Sequence, residues 1–483
     1  MHYDTETPGA FVILLKKVFF PFQVRYLTFF VAVIVIVAAS ASSLLAQRKV
    51  QQKVPERTRI LFLLDGSGSM MGIWNNEESR IDVAKRILTR LVDSLRANEN
   101  LELALRVYGH RYHRQSNNCQ DTKLEVPFGP RNHDQIIDKL KEIVPKGVTP
   151  ITYSLLQAAT DFPVSPGYRN ILILITDGVE SCEGDPCATS IELQRRGVFL
   201  RPFIIGLGLQ GGKALECAGQ YFDSGNSGSF NKVLNDAIQT TFSTTSVSVE
   251  LLDKDGKPNE TNIDVSFLNG MTGTPFYEFV HYLDARGRPD SVNIDPVNSY
   301  TVVVNTVPPV VRTNVSIVNG RHNVISVPVP QGNLIVKQDG RRAGFQVVVR
   351  TVNDHKIINT QVANESFRYL AGTYRIETLT LPRRQFDVVI EPDKTRTIEL
   401  PAPGLVNINT VSQGYGSLFE IMEDGTEQWV CHLDPNRSQH SLTLLPGKYK
   451  VAFRVRDSGG SKYTGIKVFE LSRGQTMNLS VFE

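Results

Sequence analysis

Short apolar runs alternate with amphipathic segments over the first half of the chain. Residues 60–64 form an apolar run of strand length, and residues 79–98 carry apolar side chains at helical spacing. Further strands are predicted at residues 101–108, 170–176 and 199–207, and further helices at residues 134–143, 151–159, 186–196 and 230–242. The polar residues 111–130 are predicted to form a loop with short edge strands. This alternation predicts a doubly wound, Rossmann-like α/β domain with a parallel sheet and helices on both faces.

The second half changes to short alternating strands from about residue 244. Tyr300, Tyr374 and Tyr449 each follow a turn within a strand pattern, and they lie 74 and 75 residues apart. Each tyrosine is followed by a predicted closing pair of strands around a turn. The repeat predicts three all-β sandwich modules with the tyrosines in their cores. Their architecture resembles immunoglobulin-like, prealbumin-like or carboxypeptidase-regulatory modules of bacterial surface proteins. In this chain they are expected to act as rigid spacers, and binding of a partner or a glycan is the alternative.

These patterns divide the chain into five predicted segments. The segments are an N-terminal hydrophobic helix with a linker (1–57), the α/β domain (58–242) and the β modules (243–330, 331–402 and 403–483). The total of 483 residues is too long for one ordinary domain.

The N-terminal segment predicts export. Residues 27–46 form one apolar stretch, which basic residues precede and small residues close. This is typical of a secretory signal with cleavage near Ala41 or Ala46. It equally fits a membrane anchor, because about 20 such residues span a bilayer. Either interpretation predicts a periplasmic or cell-surface protein, secreted or held at the membrane.

Charge and composition narrow the partners. Charged residues make up 21% of the chain and hydrophobic residues 41%, as in ordinary globular proteins. The net charge is only +3, and there is no block of Lys and Arg of the kind that binds nucleic acid. A nucleic-acid partner is therefore not expected.

Five cysteines are compatible with disulfides in an oxidising compartment: Cys119, Cys182, Cys187, Cys217 and Cys431. Their short separation favours a pair between Cys182 and Cys187. Cys119 would then pair with Cys217, and one cysteine must remain unpaired. The sequence alone does not determine the connectivity.

Oxygen-bearing side chains follow the first predicted strand. Asp65, Ser67 and Ser69 alternate with glycines directly after residues 60–64. Glycines allow a sharp turn and a close approach, and open parallel sheets bind ligands at the carboxyl ends of their strands. A cluster of oxygen ligands there suits Mg²⁺, Ca²⁺ or Mn²⁺.

Two more residues complete a known pattern. Thr149 stands in a Gly-x-Thr-Pro turn, and Asp177 follows the predicted strand at residues 170–176 in Ile-Thr-Asp-Gly. Together with Asp-x-Ser-x-Ser at Asp65, this set resembles the metal-ion-dependent adhesion site of von Willebrand factor type A domains. The resemblance covers about residues 58–242, and residues 180–187 are similar to a bacterial subgroup of that family.

The resemblance implies a role for each position. The hydroxyls of Ser67, Ser69 and Thr149 are expected to bind the ion directly. Asp65 and Asp177 are expected to act directly or through ordered water. The resemblance further implies that a Glu or Asp of a partner protein fills the open position. It thus predicts a non-enzymatic protein for metal-dependent binding or adhesion, with Mg²⁺ as the first choice.

Two other functional classes remain as alternatives. Domains of this type also accompany metal-chelatase and membrane-transport assemblies, where this chain would be a regulatory or scaffolding subunit. It has no Gly-x₄-Gly-Lys-Ser/Thr motif of its own to act as an ATPase. A remote alternative is a phosphatase of the haloacid-dehalogenase type, whose first strand also ends in Asp-Gly. Such enzymes need a second carboxylate where this chain has Ser67, and a hydroxyl is no general acid near neutral pH.

Overall fold

The computed structural model describes residues 55–482, except residues 56, 76–77, 166, 209–211, 244 and 340–343. The predicted N-terminal hydrophobic helix, with its apolar stretch at residues 27–46, lies outside the described residues. Within the part of the chain that is described, no helix is both long and apolar enough to cross a lipid bilayer.

The first half folds as an α/β domain. Its strands are β1 (Arg57–Asp65), β2 (Ile73–Asn75), β3 (Glu78–Ser79), β4 (Leu101–Tyr108), β5 (Thr122–Gly129), β6 (Tyr168–Thr176), β7 (Phe203–Leu207) and β8 (Gln220–Ser224). Its helices are α1 (Arg80–Ser94), α2 (His133–Glu142), α3 (Ile151–Asp161), α4 (Pro186–Arg195) and α5 (Ser227–Phe242).

Six of these strands form one sheet in the order β5-β4-β1-β6-β7-β8. β1 runs parallel to both β4 and β6, and β6, β7 and β8 continue the parallel arrangement. β5 pairs antiparallel with β4. The predicted parallel arrangement therefore holds except at this edge, where part of the segment predicted as a loop with short edge strands forms one antiparallel edge strand of eight residues.

Helices cover both faces of the sheet because the central strands are apolar on both faces. In β1, Ile60, Phe62 and Leu64 belong to a core cluster that includes residues of α1, α2 and α5. Leu61 and Leu63 belong to a second cluster with residues of α3 and α4. The doubly wound arrangement places the carboxyl ends of β1 and β6 side by side.

The second half contains only β structure among its described regular elements, apart from one short 3-10 turn. The strands of the first module are β9 (Ser246–Leu252), β10 (Asp264–Asn269), β11 (Pro275–Val280), β12 (Val292–Asn293), β13 (Ser299–Val304), β14 (Val310–Ser316) and β15 (His322–Pro328). Those of the second are β16 (Gln331–Gln338), β17 (Gln346–Thr351), β18 (Ile357–Val362), β19 (Ser366–Leu370), β20 (Gly372–Thr378), β21 (Arg384–Ile390) and β22 (Thr395–Leu400). Those of the third are β23 (Gly404–Asn409), β24 (Gly414–Ile421), β25 (Glu427–His432), β26 (Gln439–Leu444), β27 (Gly447–Val455), β28 (Thr464–Leu471) and β29 (Thr476–Ser480).

Each module has the same topology. With its seven strands lettered A to G in chain order, one sheet has the order C-B-E-F and the other has the order D-A-G. Strands A and G are parallel in all three. The last two strands therefore lie in different sheets. The expectation that they close each module as a pair was wrong, because β14 pairs with β13 whereas β15 pairs with β9.

The three repeated tyrosines occupy equivalent places in the cores. Tyr300, Tyr374 and Tyr449 are buried. Each hydroxyl donates a hydrogen bond of 2.6–2.7 Å to a main-chain oxygen four or five residues earlier. A buried tyrosine needs such a partner for its hydroxyl. The prediction that these tyrosines serve core packing is confirmed.

The first module contacts the α/β domain through the loop between β12 and β13. Val297 of this loop is buried in the same cluster as the residues of α5. The main-chain N–H of Arg201 donates to the side-chain oxygen of Asn298 at 3.4 Å. The α/β domain therefore completes part of its core with a residue from the module that follows it.

Candidate metal centre

Asp65 ends β1 as a fully buried carboxylate. Its Oδ1 accepts a hydrogen bond from the main-chain N–H of Ser67 at 2.7 Å, and its Oδ2 accepts one from the Thr176 hydroxyl at 2.7 Å. Burial, and then the nearby charge of Asp177, raise the pKa of Asp65 to about 6. The carboxylate is thus oriented by neutral donors, and no Lys, Arg or His among the described residues forms an ion pair with it.

A chain of hydrogen bonds links the next predicted ligands. The hydroxyl oxygens of Ser67 and Ser69 are 3.0 Å apart, and the Ser69 hydroxyl donates to Oδ1 of Asp177 at 2.7 Å. The side chain of Asp177 is only 1% exposed, and its Oδ2 lies 3.4 Å from Nη1 of Arg80. Burial raises the pKa of Asp177. The loops after β1 and β6 therefore meet through their oxygen atoms.

Thr149 lies beside this chain. Gly147, two residues earlier, forms a parallel bridge with Ser67. The main-chain N–H of Thr149 donates to the Ser181 hydroxyl at 2.8 Å, and the N–H of Ser181 donates back to the Thr149 carbonyl at 3.2 Å. A Cβ atom on Gly178 would lie 3.6 Å from the Thr149 hydroxyl oxygen. All five predicted ligands are thus placed around one edge of the sheet.

Gly66 explains why a glycine follows the buried carboxylate. Its main-chain N–H donates to the carbonyl of Tyr108 at 2.8 Å. A Cβ atom at this position would lie 2.8 Å from the Tyr108 oxygen and 2.8 Å from Cβ of His110. The first turn after β1 therefore has room only for a glycine.

The sequence analysis missed four residues that position the site. Thr176 bonds Asp65, Arg80 lies against Asp177, and Ser181 holds the Thr149 main chain. Glu180 accepts main-chain hydrogen bonds from Thr152 at 2.6 Å and from Cys182 at 2.9 Å. Thr176, Glu180 and Ser181 lie within four residues of Asp177 in the sequence, which could have indicated that they belong to the same site. Nothing local in the sequence pointed to Arg80.

The disulfides differ from the predicted pairing. Cys119 is bonded to Cys182 and Cys187 to Cys217, while Cys431 is unpaired. The expected pair between Cys182 and Cys187 was wrong, and so was the second pair, Cys119 with Cys217. Cys187 lies in the first turn of α4, and its sulfur faces the segment before β8. The short separation along the chain therefore did not correspond to proximity in space.

The donor set suits a hard divalent cation. It offers three hydroxyls and two carboxylates, which are oxygen ligands of the kind that Mg²⁺, Ca²⁺ and Mn²⁺ take. In the described ranges no three His, Cys, Asp or Glu side chains come together as a metal-binding group. A site built on these residues therefore depends on its serine and threonine hydroxyls.

Comparison with known sequences identifies the α/β half. The family model of the von Willebrand factor type A domain matches residues 60–249. The uncharacterized protein YwmD of Bacillus subtilis (strain 168) is 32% identical over 154 residues, which are 31% of this chain and 67% of that protein. The uncharacterized protein YwmC of the same organism is 27% identical over 158 residues, or 32% of this chain and 68% of its own.

Solved structures give weaker likenesses. An aerotolerance-related membrane protein from Bacteroides fragilis NCTC 9343 matches 38% of this chain and 98% of its own, with 21% identity and a TM-score of 0.30. The pilus adhesin SpaC from Lactobacillus rhamnosus GG matches 87% of this chain and 66% of its own, with 12% identity and a TM-score of 0.33.

Proposed function

Because this chain belongs to the von Willebrand factor type A family through residues 60–249, we propose that its α/β domain recognises a partner protein through a shared divalent cation. Mg²⁺ is the first choice, with Ca²⁺ or Mn²⁺ as the other hard cations that the donors accept. The hydroxyls of Ser67, Ser69 and Thr149 would hold the ion, and Asp65 and Asp177 would bind it directly or through water. The bound ion supplies positive charge that attracts a Glu or Asp of the partner.

The observation that carries this proposal is the uncompensated carboxylate of Asp65. It is fully buried, its two bonded neighbours are neutral donors, and Asp177 adds a second negative charge nearby. A buried charge without a partner is costly. A divalent cation among these oxygens would offset both carboxylates, and the guanidinium of Arg80, 3.4 Å from Asp177, would add positive charge that favours an incoming anion.

Apolar side chains near the site support a protein partner. Met71 and Ile73 follow Ser69 within four residues and are 55% and 72% exposed. Val179 follows Asp177 by two residues and is 43% exposed. Exposed apolar side chains that cluster around a polar site are a feature of protein interfaces. The partner is thus proposed to present a carboxylate with apolar neighbours.

We further propose that the β modules hold the α/β domain away from its attachment point. An arginine–carboxylate pair stands at two successive module junctions, Arg368 with Glu260 and Arg384 with Glu420. The main-chain N–H of Leu445 also donates to the carbonyl of Leu381 at 2.7 Å. Such ion pairs and hydrogen bonds between successive modules favour a semi-rigid spacer over modules joined by flexible linkers.

The same proposal includes the structural type of the β modules and the location of the protein. The C-B-E-F and D-A-G sheets differ from the ABED and CFG sheets of immunoglobulin constant domains. This order favours the prealbumin-like or carboxypeptidase-regulatory type for modules at residues 243–330, 331–402 and 403–483. Residues 27–46 would export the chain and, if they are retained, anchor it in the membrane.

Calorimetric titration of the full-length protein with Mg²⁺ tests the metal centre. Wild-type protein should bind one ion, and Ser69→Ala and Asp177→Ala should each weaken binding at least tenfold, because each removes a proposed ligand. Ser116→Ala is the matched control, since this serine lies in an exposed 3-10 turn and bonds only the His113 carbonyl. Equal Mg²⁺ binding by all four proteins would refute the site.

Capture of partners tests the recognition step. The immobilised full-length protein is incubated with extracellular extracts in the presence of Mg²⁺ or of chelator. The immobilised Ser69→Ala variant serves as a second negative control. A set of proteins retained only by wild type with Mg²⁺ is the expected result. An identical set under all conditions would contradict metal-dependent recognition.

A further inference from the structure

The outer face of one sheet in the third β module carries aromatic side chains. β24 and β25 pair so that Phe419 lies opposite Trp429, and Ser417 lies opposite His432. Tyr415, Ser417 and Phe419 alternate along β24 with residues of the core, so they point away from it. Trp429 is 56% and Tyr415 53% exposed. We call Tyr415, Phe419, Trp429 and His432 the aromatic face.

An open groove of about 560 Å³ runs along this face. Its lining includes Tyr415, Ser417, Phe419, His432, Pro435 and Ala452. Trp429 does not line the groove itself but stands beside it, with its ring centre 5.0 Å from that of His432. Ser417 and Ala452 are neighbours across β24 and β27, and their small side chains leave space between the rings. The Ser417 hydroxyl lies 2.9 Å from Nδ1 of His432. A mostly apolar concavity with a few polar groups is the usual form of a ligand site.

The fold does not require aromatic residues at these positions. The core tyrosines align the three modules, because each lies on strand E. Phe419 lies opposite the residue that directly follows the core tyrosine of the third module. The equivalent position on strand B is Leu268 in the first module and Arg350 in the second. At the position of Tyr415 the second module has Gln346. The aromatic face is therefore a property of the third module and not of the repeat.

Positive charge lies at one end of the groove. The guanidinium carbons of Arg454 and Arg456 are each 5.9 Å from the centre of the Tyr415 ring. Both arginines bond neutral loop oxygens, and neither forms an ion pair within the described part of the chain. Lys450, by contrast, is paired with Glu427. Unpaired guanidinium groups beside a groove favour an anionic occupant.

The position of the groove within the sheet limits the class of ligand. β24 and β27 are the two central strands, and each is hydrogen-bonded to a neighbour on both sides. A peptide strand binds to a sheet by pairing with a free edge, which these strands do not offer. The occupant must instead bind through rings and side-chain polar groups. A sugar ring has a flat C–H face for an aromatic side chain and hydroxyls for Ser417 and His432.

We propose that the aromatic face binds an acidic polysaccharide. Its sugar rings lie on Tyr415 and Trp429, and its uronate carboxylates meet Arg454 and Arg456. This site goes beyond the proposed metal-dependent recognition and does not depend on it. The third module would thus attach the protein to an anionic glycan while the α/β domain remains free for its partner.

The test is calorimetry on the full-length protein with hexagalacturonate, in the presence of chelator so that no divalent cation can bridge the uronates. Hexagalacturonate should bind, and neutral maltohexaose should bind at least tenfold more weakly. Trp429→Ala should weaken hexagalacturonate binding roughly tenfold, as expected for the loss of one ring contact. Arg454→Gln should weaken hexagalacturonate binding and leave that of maltohexaose unchanged.

Three further variants keep the result interpretable. Trp429→Phe keeps an aromatic ring and should retain most of the affinity for hexagalacturonate. If substitution of Trp429 only misfolded the module, this variant would lose binding as well. Val389→Ala changes a 56% exposed side chain on the second module and should have no effect. Ser69→Ala should also have no effect, because it removes a proposed metal ligand only. An absence of hexagalacturonate binding, or equally tight binding of poly-glutamate, would overturn the proposal. The proposal would also be overturned if the wild-type protein self-associated and Trp429→Ala abolished that self-association.

Discussion

Arg169 and Asp295 form a buried ion pair with two hydrogen bonds across the junction between the α/β domain and the first β module. Nε and Nη2 of Arg169 donate to the two carboxylate oxygens at 2.7 and 2.8 Å, and the side chains are 7% and 8% exposed. Nη1 of Arg169 donates to the carbonyl of Thr241 in the last turn of α5. Arg169 also lies on β6, whose opposite end carries Thr176 at the candidate metal centre. One guanidinium thus joins the central sheet, the last helix and the next module.

Replacement of Arg169 should destabilise the α/β domain strongly. Arg169→Met leaves the Asp295 carboxylate and the Thr241 carbonyl buried without their partner, and loss of one member of a buried pair costs about 3–5 kcal/mol. Urea unfolding measures this loss. The chain has two tryptophans, so a Trp429→Phe background leaves Trp74 as the fluorescent reporter of the α/β domain.

Two further proteins separate this effect from ordinary surface electrostatics. Arg195 and Glu192 pair at 2.9 Å but are 51% and 54% exposed, so Arg195→Met should change the unfolding free energy by only about 0.5 kcal/mol. Arg169→Met with Asp295→Leu removes both charges and should recover part of the loss. Equal small losses for Arg169→Met and Arg195→Met would show that the junction does not stabilise the domain.

The central strands could be predicted from the sequence because burial leaves a local signal. Residues 60–64 and 171–175 are apolar on both faces, as is typical of strands in the middle of a covered sheet. Asp65 and Asp177 follow these strands directly, so their meeting at one edge followed from the parallel arrangement. The three repeated tyrosines could be placed in the cores for another reason, because their regular spacing within strand patterns marks a structural repeat.

The edge strands and the long-range contacts had no such signal. β5 and β8 lie at the sheet edges, where one side of the strand faces solvent and the sequence includes polar residues. The disulfide partners Cys119 and Cys182 are 63 residues apart, and Arg169 and Asp295 are 126 residues apart. Contacts at such separations depend on the completed fold. Single residues such as these give no periodic pattern that would reveal their partners.

Stability without metal should fall as pH rises through the range in which Asp65 ionises. Its pKa is about 6 in the folded protein, against an ordinary value of 3.8. The folded state therefore binds more protons than the unfolded state between these values, and unfolding free energy decreases with pH in that window. The expected loss is about 3 kcal/mol above pH 6 relative to below pH 4. Urea unfolding with chelator, followed by Trp74 fluorescence, measures it.

Asp65→Asn isolates this contribution from those of other carboxylates. The amide keeps the shape of the side chain but cannot ionise, so the variant should be more stable than wild type at pH 7 and equally stable near pH 4. Mg²⁺ should stabilise wild type at pH 7 and have little effect on the variant. A stability difference that stays constant with pH would show that Asp65 does not titrate in this window.

Ser181 should affect metal affinity although it is no proposed ligand. Ser181→Ala leaves the main-chain N–H of Thr149 without the hydroxyl that accepts its hydrogen bond at 2.8 Å. Loss of such a bond is worth roughly 1 kcal/mol, so Mg²⁺ affinity should fall about fivefold if the bond orients the Thr149 turn. Calorimetry measures this change, with Ser116→Ala as the control. A loss of stability with unchanged Mg²⁺ affinity would mean that the bond supports the loop but not the site.

Two glycines beside the two aspartates of the candidate metal centre should respond differently to alanine. At Gly66 a Cβ would lie 2.8 Å from the Tyr108 carbonyl oxygen, which belongs to the adjacent main chain and cannot move aside. Gly66→Ala should therefore cost about 1–3 kcal/mol of unfolding free energy. It should also weaken Mg²⁺ binding, because it shifts the turn that carries Ser67. At Gly178 the nearest atom would be the Thr149 hydroxyl oxygen at 3.6 Å, an ordinary contact.

Gly178→Ala is thus the matched control, with the same added methyl group after the other aspartate. It should lose well under 1 kcal/mol, because the new atom meets no main chain. Urea unfolding of both variants measures the loss of unfolding free energy, and Mg²⁺ titration measures the change in affinity. If Gly178→Ala were as damaging as Gly66→Ala, the close approach of β4 to the turn after β1 would not be the reason for the glycine. The requirement would then lie in the flexibility of both Asp-Gly turns.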